Sequence, residues 1–455
     1  MGKTAMKLNG LLIATAVLAA LLGALYWSNH HPASDNPVKA SSDASPKILS
    51  LNTADVSRVA IDHKDQPAVE LSRNSSGAWQ ITAPKALPAD QESVSSLVST
   101  LSSLNADRLI EDKASNLASY GLANPPLQVD VTLKDNKTQK LLIGDQTPSG
   151  NDYYALLSGD PRVFTLASYN KSSLDKSASD LRDKRLLSAD FDKVSQIQLL
   201  NQNPKNKQEI TLARNKDSWQ ILKPGPYRAD SNRVDDLVRS LQNANMENPS
   251  TSDENKDDAA FKSGSPVATA IITGASGNQE LQIRKAKDDY YAKSTAVPGI
   301  YKVSSSVATN LDKPLDDFRN KKLFDFGYED PNKIEIHDGS KGYFLTRSGS
   351  DWWGAEGKKL DDPSVQMLLG DIRDLSADKF PDSGFTTPDL QITVGSKDNK
   401  RVEKVSISKT KDAYIAKREN EPALYQISSS AISQLQQAAA NLKQVTPPST
   451  SPAKK

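Results

Sequence analysis

Cysteine is absent from the 455 residues. That excludes a disulfide framework, thiolate metal sites, a cysteine nucleophile and a lipid-modified anchor cysteine. It leaves the redox compartment open. Histidine is scarce: His30 and His31 lie near the N-terminus, His63 and His337 further on. No carboxylate or second histidine stands at metal-ligand spacing to His63 or His337, and His30-His31 reads as a solvated pair in a polar stretch. A surplus of one charge is also missing. Lys+Arg 57 against Asp+Glu 56 leaves a net charge of +1 with the signs interspersed, so the basic patch or stripe of a nucleic-acid binder is not present.

Catalytic signatures are missing as well. There is no G-x-S-x-G, no glycine-rich phosphate loop and no acid–base set repeated along the chain. Asp253, Asn255 and Asp257 imitate the start of a calcium loop. The sixth position is Asp258 instead of glycine and the twelfth is Gly264 instead of glutamate, so the loop fails. Ser168-x-x-Lys171 and Ser173-x-x-Lys176 have serine–lysine spacing. Both fall in a serine-rich helix start, where capping accounts for serine better than nucleophilic catalysis does. No catalytic, cofactor or metal residue is assigned, and a non-enzymatic protein is expected.

Long apolar runs are limited to one. Leu11 to Trp27 is uncharged and almost wholly apolar, about 25 Å long as a helix and near the short limit for crossing a bilayer. Lys3 and Lys7 precede it, so the positive flank stays in the cytoplasm and the rest of the chain is exported. Tyr26 and Trp27 close the run, where amphipathic rings suit the headgroup region. The competing reading is a cleaved signal peptide. No convincing small-x-small cleavage site follows the run, which favours an uncleaved anchor.

What the chain has in abundance is repetition. Leu71-Ser72-Arg73 turns through Asn74-Ser75-Ser76-Gly77 and returns through Trp79-Gln80-Ile81. The pattern recurs as Leu212-Ala213-Arg214 leading to Trp219-Gln220-Ile221, and as Leu345-Thr346-Arg347 leading to Trp352. After each hairpin comes an aspartate and then an apolar stripe: Val94, Leu97, Val98, Leu101; Val234, Leu237, Val238, Leu241; Val365, Leu368, Leu369, Ile372. The i, i+3, i+4, i+7 spacing places each set on one helix face. Each arginine is expected to lie over the tryptophan of its own hairpin, and the tryptophans are expected in the core.

The register holds elsewhere. Tyr290-Tyr291-Ala292 lies 137 residues after Tyr153-Tyr154-Ala155, and Tyr414-Ile415-Ala416 a further 124. Gly384-Phe385-Thr386-Thr387-Pro388 repeats the Tyr120-Gly121-Leu122 turn and its prolines, whereas the second copy carries the polar run Thr251 to Asp258 there instead. Within each tyrosine pair, strand alternation directs one ring to the core and the other to solvent. The expected organisation is an anchor over 1–27, a flexible linker over 28–47, modules over 48–190, 191–328 and 329–445, and a disordered tail over 446–455. Consecutive strands are joined by loops too short for parallel crossovers. The fold class is therefore α+β: three tandem modules, each a mainly antiparallel sheet with about two packed helices.

The tryptophan hairpin, the Tyr-Gly-Leu-x-x-Pro turn, Leu142-Ile143-Gly144, Tyr153-Tyr154-Ala155 and the Leu181-Arg182-Asp183-Lys184 ending together resemble the domain of unknown function 4340 family. The resemblance covers roughly residues 48–445. It implies a bacterial envelope protein held in the inner membrane, with its bulk in the periplasm. Such proteins are often encoded beside ABC transporter components of the gliding-motility type. No catalytic residue carries over. The expected partners are the inner membrane, through the N-terminal helix, and a protein of an ABC-type transport complex; no nucleic acid or cofactor is expected. The reading is an accessory or scaffold protein. The alternatives are a binding module for an envelope polymer or small ligand and, less favoured, a hydrolase.

Overall fold

The structure, a computed structural model, describes residues 46–445 except 205, 217, 248, 250–255, 276, 328–330 and 412. The expected anchor, almost all of the linker and the proline-rich tail lie outside these residues. No helix among the described residues is long and apolar enough to cross a membrane. The chain divides into two compact units, one ending at Leu181 and the other beginning at Arg182.

The first unit is built on β1 (Val56–His63), β2 (Val69–Arg73), β3 (Trp79–Ala83), β4 (Leu87–Pro88), β5 (Arg108–Glu111), β6 (Leu127–Leu133), β7 (Thr138–Gln146), β8 (Asp152–Leu157) and β9 (Val163–Ala167). They form one sheet in the order β4-β3-β2-β1-β6-β7-β8-β9-β5. Every pairing is antiparallel. A register shift between Val56 and Arg58 lets both Val56 and Val59 point inward, as an extra residue in a strand does.

The hairpin turn is fastened by Asn74, whose Oδ1 accepts from the Ser76 and Ala78 N–H groups at 3.0 and 2.9 Å. Gly77 supplies the positive φ of +83° that the turn needs. Asp90 then caps the helix Gln91–Ser102 by accepting from the Ser93 N–H at 2.7 Å. Gln91 also bonds both backbone groups of Trp79, at 2.8 and 2.9 Å, and so pins the helix start to the hairpin. Val94, Leu97, Val98 and Leu101 are all buried, each contributing roughly 1.5–3 kcal/mol by removal from water. The second helix, Ser168–Leu174, packs beside it on the same core.

The opposite face of this sheet is not bare. A short helical turn, Leu117–Tyr120, ends on Gly121 in the left-handed conformation (φ +69°). It lays Leu122 against Leu156 and Val163 in a small second cluster. Tyr153 packs on the main core as alternation requires. The other ring of the pair, Tyr154, does not face open solvent but meets the Tyr120 ring edge-on at 4.8 Å. The Tyr-Gly-Leu turn covers the face that the strand pattern alone leaves open.

The second unit repeats the plan twice. One sheet comprises β10 (Gln196–Asn201), β11 (Gln208–Asn215), β12 (Ser218–Lys223), β13 (Tyr227–Arg228), β14 (Ser265–Gly274), β15 (Gly277–Ala286), β16 (Asp289–Ser294) and β17 (Ile300–Val303), in the order β13-β12-β11-β10-β14-β15-β16-β17. The other comprises β18 (Pro331–Asp338), β19 (Lys341–Ser348), β20 (Asp351–Gly354), β21 (Leu390–Ser396), β22 (Arg401–Lys409), β23 (Tyr414–Arg418) and β24 (Leu424–Ile427), in the order β20-β19-β18-β21-β22-β23-β24. All these pairings are antiparallel too. In each of the three sheets the first strand ends up inside the sheet, because β6, β14 and β21 pair with the edge that its hairpin leaves free.

Asp230 caps Ser231–Gln242 and Asp361 caps Asp362–Asp374, each with its side chain. Both apolar stripes are buried. A second helix packs beside each: Ser305–Leu311 in one, Ser429–Ala440 in the other. The architecture is thus α+β, with antiparallel sheets and the long helices on one face. The three cores run from Ile48 to Leu181, from Leu186 to Phe318 and from Leu323 to Ala439. Ile48, Leu186 and Leu323 enter their cores in the same way, donating an N–H to the carbonyl of Leu104, Ala244 and Leu375 at 2.9, 2.9 and 3.0 Å.

Candidate functional site

The residues that recur in every hairpin are consumed by packing. Arg73, Arg214 and Arg347 stand directly opposite Trp79, Trp219 and Trp352 in the strand register. The Arg73 guanidinium lies 4.4 Å from the Trp79 ring centre, and that of Arg214 4.9 Å from Trp219. Arg73 also donates to the carbonyls of Val56 and Gly77 at 3.0 and 2.7 Å, and Arg214 to that of Asp192 at 3.0 Å. The three rings are 2–4% exposed. In the first two hairpins cation–π contact and carbonyl bonding hold the turn closed, and all three rings are part of their cores.

The first unit gathers one polar group that the sequence keeps apart. His63 at the end of β1 meets Asp175, just beyond the Ser168–Leu174 helix, with Nε2 and Oδ1 2.7 Å apart. Lys171 also donates to Asp175. Burial pushes the Asp175 carboxyl up, but the hydrogen bonds from Lys171 and His63 outweigh it and hold the group below the ordinary carboxylate range. The serine–lysine spacings do not become dyads. Ser172 and Ser173 donate to the carbonyls of Ser168 and Tyr169 one turn back, both at 2.9 Å, and Ser168 donates to the Asn151 carbonyl. Side-chain capping, the expected use of Ser168, is not what the structure has: the N-cap is Ala167, without a side-chain bond.

A pair of acids also meets in this unit. Burial and the neighbouring Asp152 carboxylate push Asp107 above its ordinary range. His337 lies edge-on to Phe344 at 5.3 Å. Asp253, Asn255, His30 and His31 fall outside the described residues. Among the described residues no group of three or more histidines and carboxylates is placed to hold a metal ion.

The largest charged cluster lies in the second unit. Arg319, from the repeated Phe318-Arg319-Asn320-Lys321 segment, is sandwiched between the rings of Tyr227 at 4.2 Å and Phe380 at 3.7 Å. Beside it, Arg228 of β13 pairs with Asp325 at 2.5 Å and Glu421 at 3.0 Å. Arg418 bonds Glu421 at 2.8 Å and Glu403 at 3.3 Å, and Arg401 reaches Glu403 at 3.3 Å. The Tyr425 hydroxyl donates to Glu421 at 2.8 Å. Arg228, Arg401 and Arg418 face Asp325, Glu403 and Glu421, and Arg319 has a carboxylate of its own in Asp316 at 3.5 Å, so four guanidinium groups meet four carboxylates and the cluster is electrically closed. Burial works against the charge of Arg228, and the field of Tyr425, Asp325 and Glu421 more than restores it. This is a clamp between the second sheet's edge strand and the third sheet, with no open cation or acid aimed at solvent chemistry.

Sequence reading missed this clamp because its members come from both ends of the unit. Arg319 gave the one available signal, as the equivalent of Arg182 in a repeated segment. Arg182 likewise finds an aromatic partner, with Nη2 2.8 Å from the Tyr301 hydroxyl. Tyr301 and Tyr425 occupy matching places, each opposite the alanine of the neighbouring strand.

The profile of one family, described as a domain of unknown function (DUF4340), matches residues 79–262 and again residues 219–388. The two matches begin on Trp79 and Trp219, the tryptophans of the first two hairpins, and together span most of the chain. The chain belongs to this family. Each match runs from the tryptophan of one hairpin through the rest of its sheet and past the next hairpin and its capped helix, so the DUF4340 pattern includes the passage between successive sheets. No curated protein and no solved structure matches the chain.

Proposed function

We propose that this DUF4340 protein is anchored in the bacterial inner membrane by Leu11–Trp27, carries its three sheets in the periplasm, and acts by contact as an accessory or scaffold subunit of an ABC-type envelope transport system. One observation carries the non-catalytic part of this reading: the polar residues that recur with the fold are spent on aromatic rings, backbone carbonyls and each other. Arg73, Arg182, Arg214 and Arg319 all have such partners, which supports a repeat that builds firm contact surfaces. The location rests on the sequence, with Lys3 and Lys7 ahead of the apolar run. The transport partner rests on the family resemblance.

Photocrosslinking in intact cells tests the partner. The expected result is a membrane transport subunit enriched over a control carrying only residues 1–47 and an unrelated domain, with capture lost when residues 48–181 are removed. Equal recovery from the control would overturn it. Fractionation with reporter fusions after Ser45 tests the anchor, and a soluble mature form beginning beyond Trp27 would refute it.

A further inference from the structure

The common register of the three sheets allows their outer faces to be compared position by position. Ile143, Ile283 and Ile407 stand opposite Ala155, Ala292 and Ala416, and these stand opposite Phe164, Tyr301 and Tyr425. Their sequence neighbours point to the other side of each sheet. In the first sheet those neighbours are Gly144, Leu156 and Val163. The face is closed there: Leu122 covers Leu156 and Val163, and Gly144 has no room for a side chain, since a Cβ would lie 2.1 Å from the Tyr120 carbonyl oxygen. In the third sheet they are Ser408, Lys417 and Leu424. Ser408 is fully buried and accepts from the Thr386 N–H at 3.1 Å, so the turn again lies on the strand.

In the second sheet the same places hold Arg284, Lys293 and Ile300, and the short helix Asp258–Ser263 replaces the turn. Arg284 stacks over Phe261 at 4.9 Å and donates through Nη1 to the carbonyls of Phe261 and Lys262 at 3.3 and 3.4 Å. With arginine where the first sheet has glycine, a long side chain lies between the strand and the covering helix. A groove of about 420 Å³ opens, lined by Asp258, Phe261, Lys262, Arg284, Lys293 and Ile300 among others. Three cations face one carboxylate. Asp258 is 3.6 Å from Lys262, whose side chain is 76% exposed, a weak tie that an incoming anion can displace. The groove thus keeps a local surplus of two positive charges above an apolar floor of Phe261 and Ile300, within the size range of small-molecule sites.

We propose that this groove binds a small phosphate-bearing ligand, a phosphomonoester whose dianion meets Lys262, Arg284 and Lys293 while its organic part lies on Phe261 and Ile300. A dianion matches the charge surplus, and a guanidinium fixed by two carbonyls presents its remaining donors without further ordering. The site belongs to the second sheet alone, because only there do all three outward positions combine two cations with an opened face. It does not depend on the transport-partner reading.

The test uses the full chain in neutral detergent, titrated calorimetrically with inorganic phosphate, with a hexose monophosphate, and with a short-chain phosphatidic acid against the matching phosphatidylcholine. Saturable binding of the hexose monophosphate is expected. Lys293→Leu, which installs the first sheet's residue, and Lys262→Ala should each weaken it tenfold or more. Lys417→Leu, at the matching place in the third sheet, should leave it unchanged. Binding of the short-chain phosphatidic acid alone, lost in the same two variants, supports the phosphate site and assigns the phosphate to a lipid headgroup. Both replaced lysines are exposed, and unchanged melting curves keep lost binding distinct from lost folding. The proposal is overturned if no probe binds saturably, or if binding survives both Lys293→Leu and Lys262→Ala.

Discussion

Arg228 and Glu421, 193 positions apart in the chain, meet with Nε 3.0 Å from Oε1. Arg228 belongs to the edge strand of one sheet, and Glu421 follows β23 of the next. Asp325, Arg418 and Tyr425 close the network around them. Two cores that could each stand as a domain are thereby tied into one unit, while Arg319 fills the apolar side of the junction between Tyr227 and Phe380.

Arg228→Ala should lower the stability of the second unit by roughly 1–3 kcal/mol, since it leaves Asp325 and Glu421 half-buried and short of a cation. The lower end is favoured because these side chains keep 20–31% of their exposure. Denaturant titration of the full chain, read by hydrogen exchange in β13 and β23, gives the figure. An Arg228→Met, Glu421→Met double variant should recover part of the loss. Exchange rates unchanged in both strands would show that the network holds nothing together.

Trp79 and Trp219 should each behave as core residues of their own sheet. Alanine at either should cost roughly 3–5 kcal/mol, as for other buried aromatics. Faster exchange should appear in β1–β3 for Trp79→Ala and in β10–β12 for Trp219→Ala. Wild-type melting combined with lost ligand binding would instead make the rings a binding platform.

The His63–Asp175–Lys171 group should give the first unit an acid-sensitive increment of stability. Asp175 is held below its ordinary value of 3.8, so the folded state favours the ionised form. The contribution is present above that pH and is lost as pH falls through the folded value. Comparing wild type with Asp175→Asn in denaturant at several pH values checks the sign. The gap should be widest near neutrality and shrink below about pH 4. A gap that grows on acidification would contradict the assignment.

Gly144→Ala should destabilise the first unit by about 1–3 kcal/mol, the range for forced overpacking. The added Cβ would meet a backbone carbonyl, not the mobile end of a side chain. The turn at Tyr120–Leu122 should lift, and exchange in β7 and β8 should rise. A variant as stable as wild type would show that the turn yields freely, and would weaken the contrast drawn with Arg284.

Sequence by itself determined the repeat and most of its local structure. Leu-x-Arg before tryptophan specifies a hairpin, aspartate before a 3.6-residue stripe specifies a capped helix, and alternation in Leu127–Leu133 specifies a half-buried strand. All three depend on neighbours a few residues apart, so they are written locally. Alternation also put one tyrosine of each pair in the core, but not which one, nor that Tyr154 is covered by Tyr120, because a second covering layer leaves no period in the strand it covers. Tertiary structure alone decided what meets across long separations. It brought His63 to Asp175, Arg228 to Glu421, and Arg284 and Lys293 to one groove. Charged side chains at such separations carry no shared period, and their pairing is set by which strand edges the crossing helices bring together.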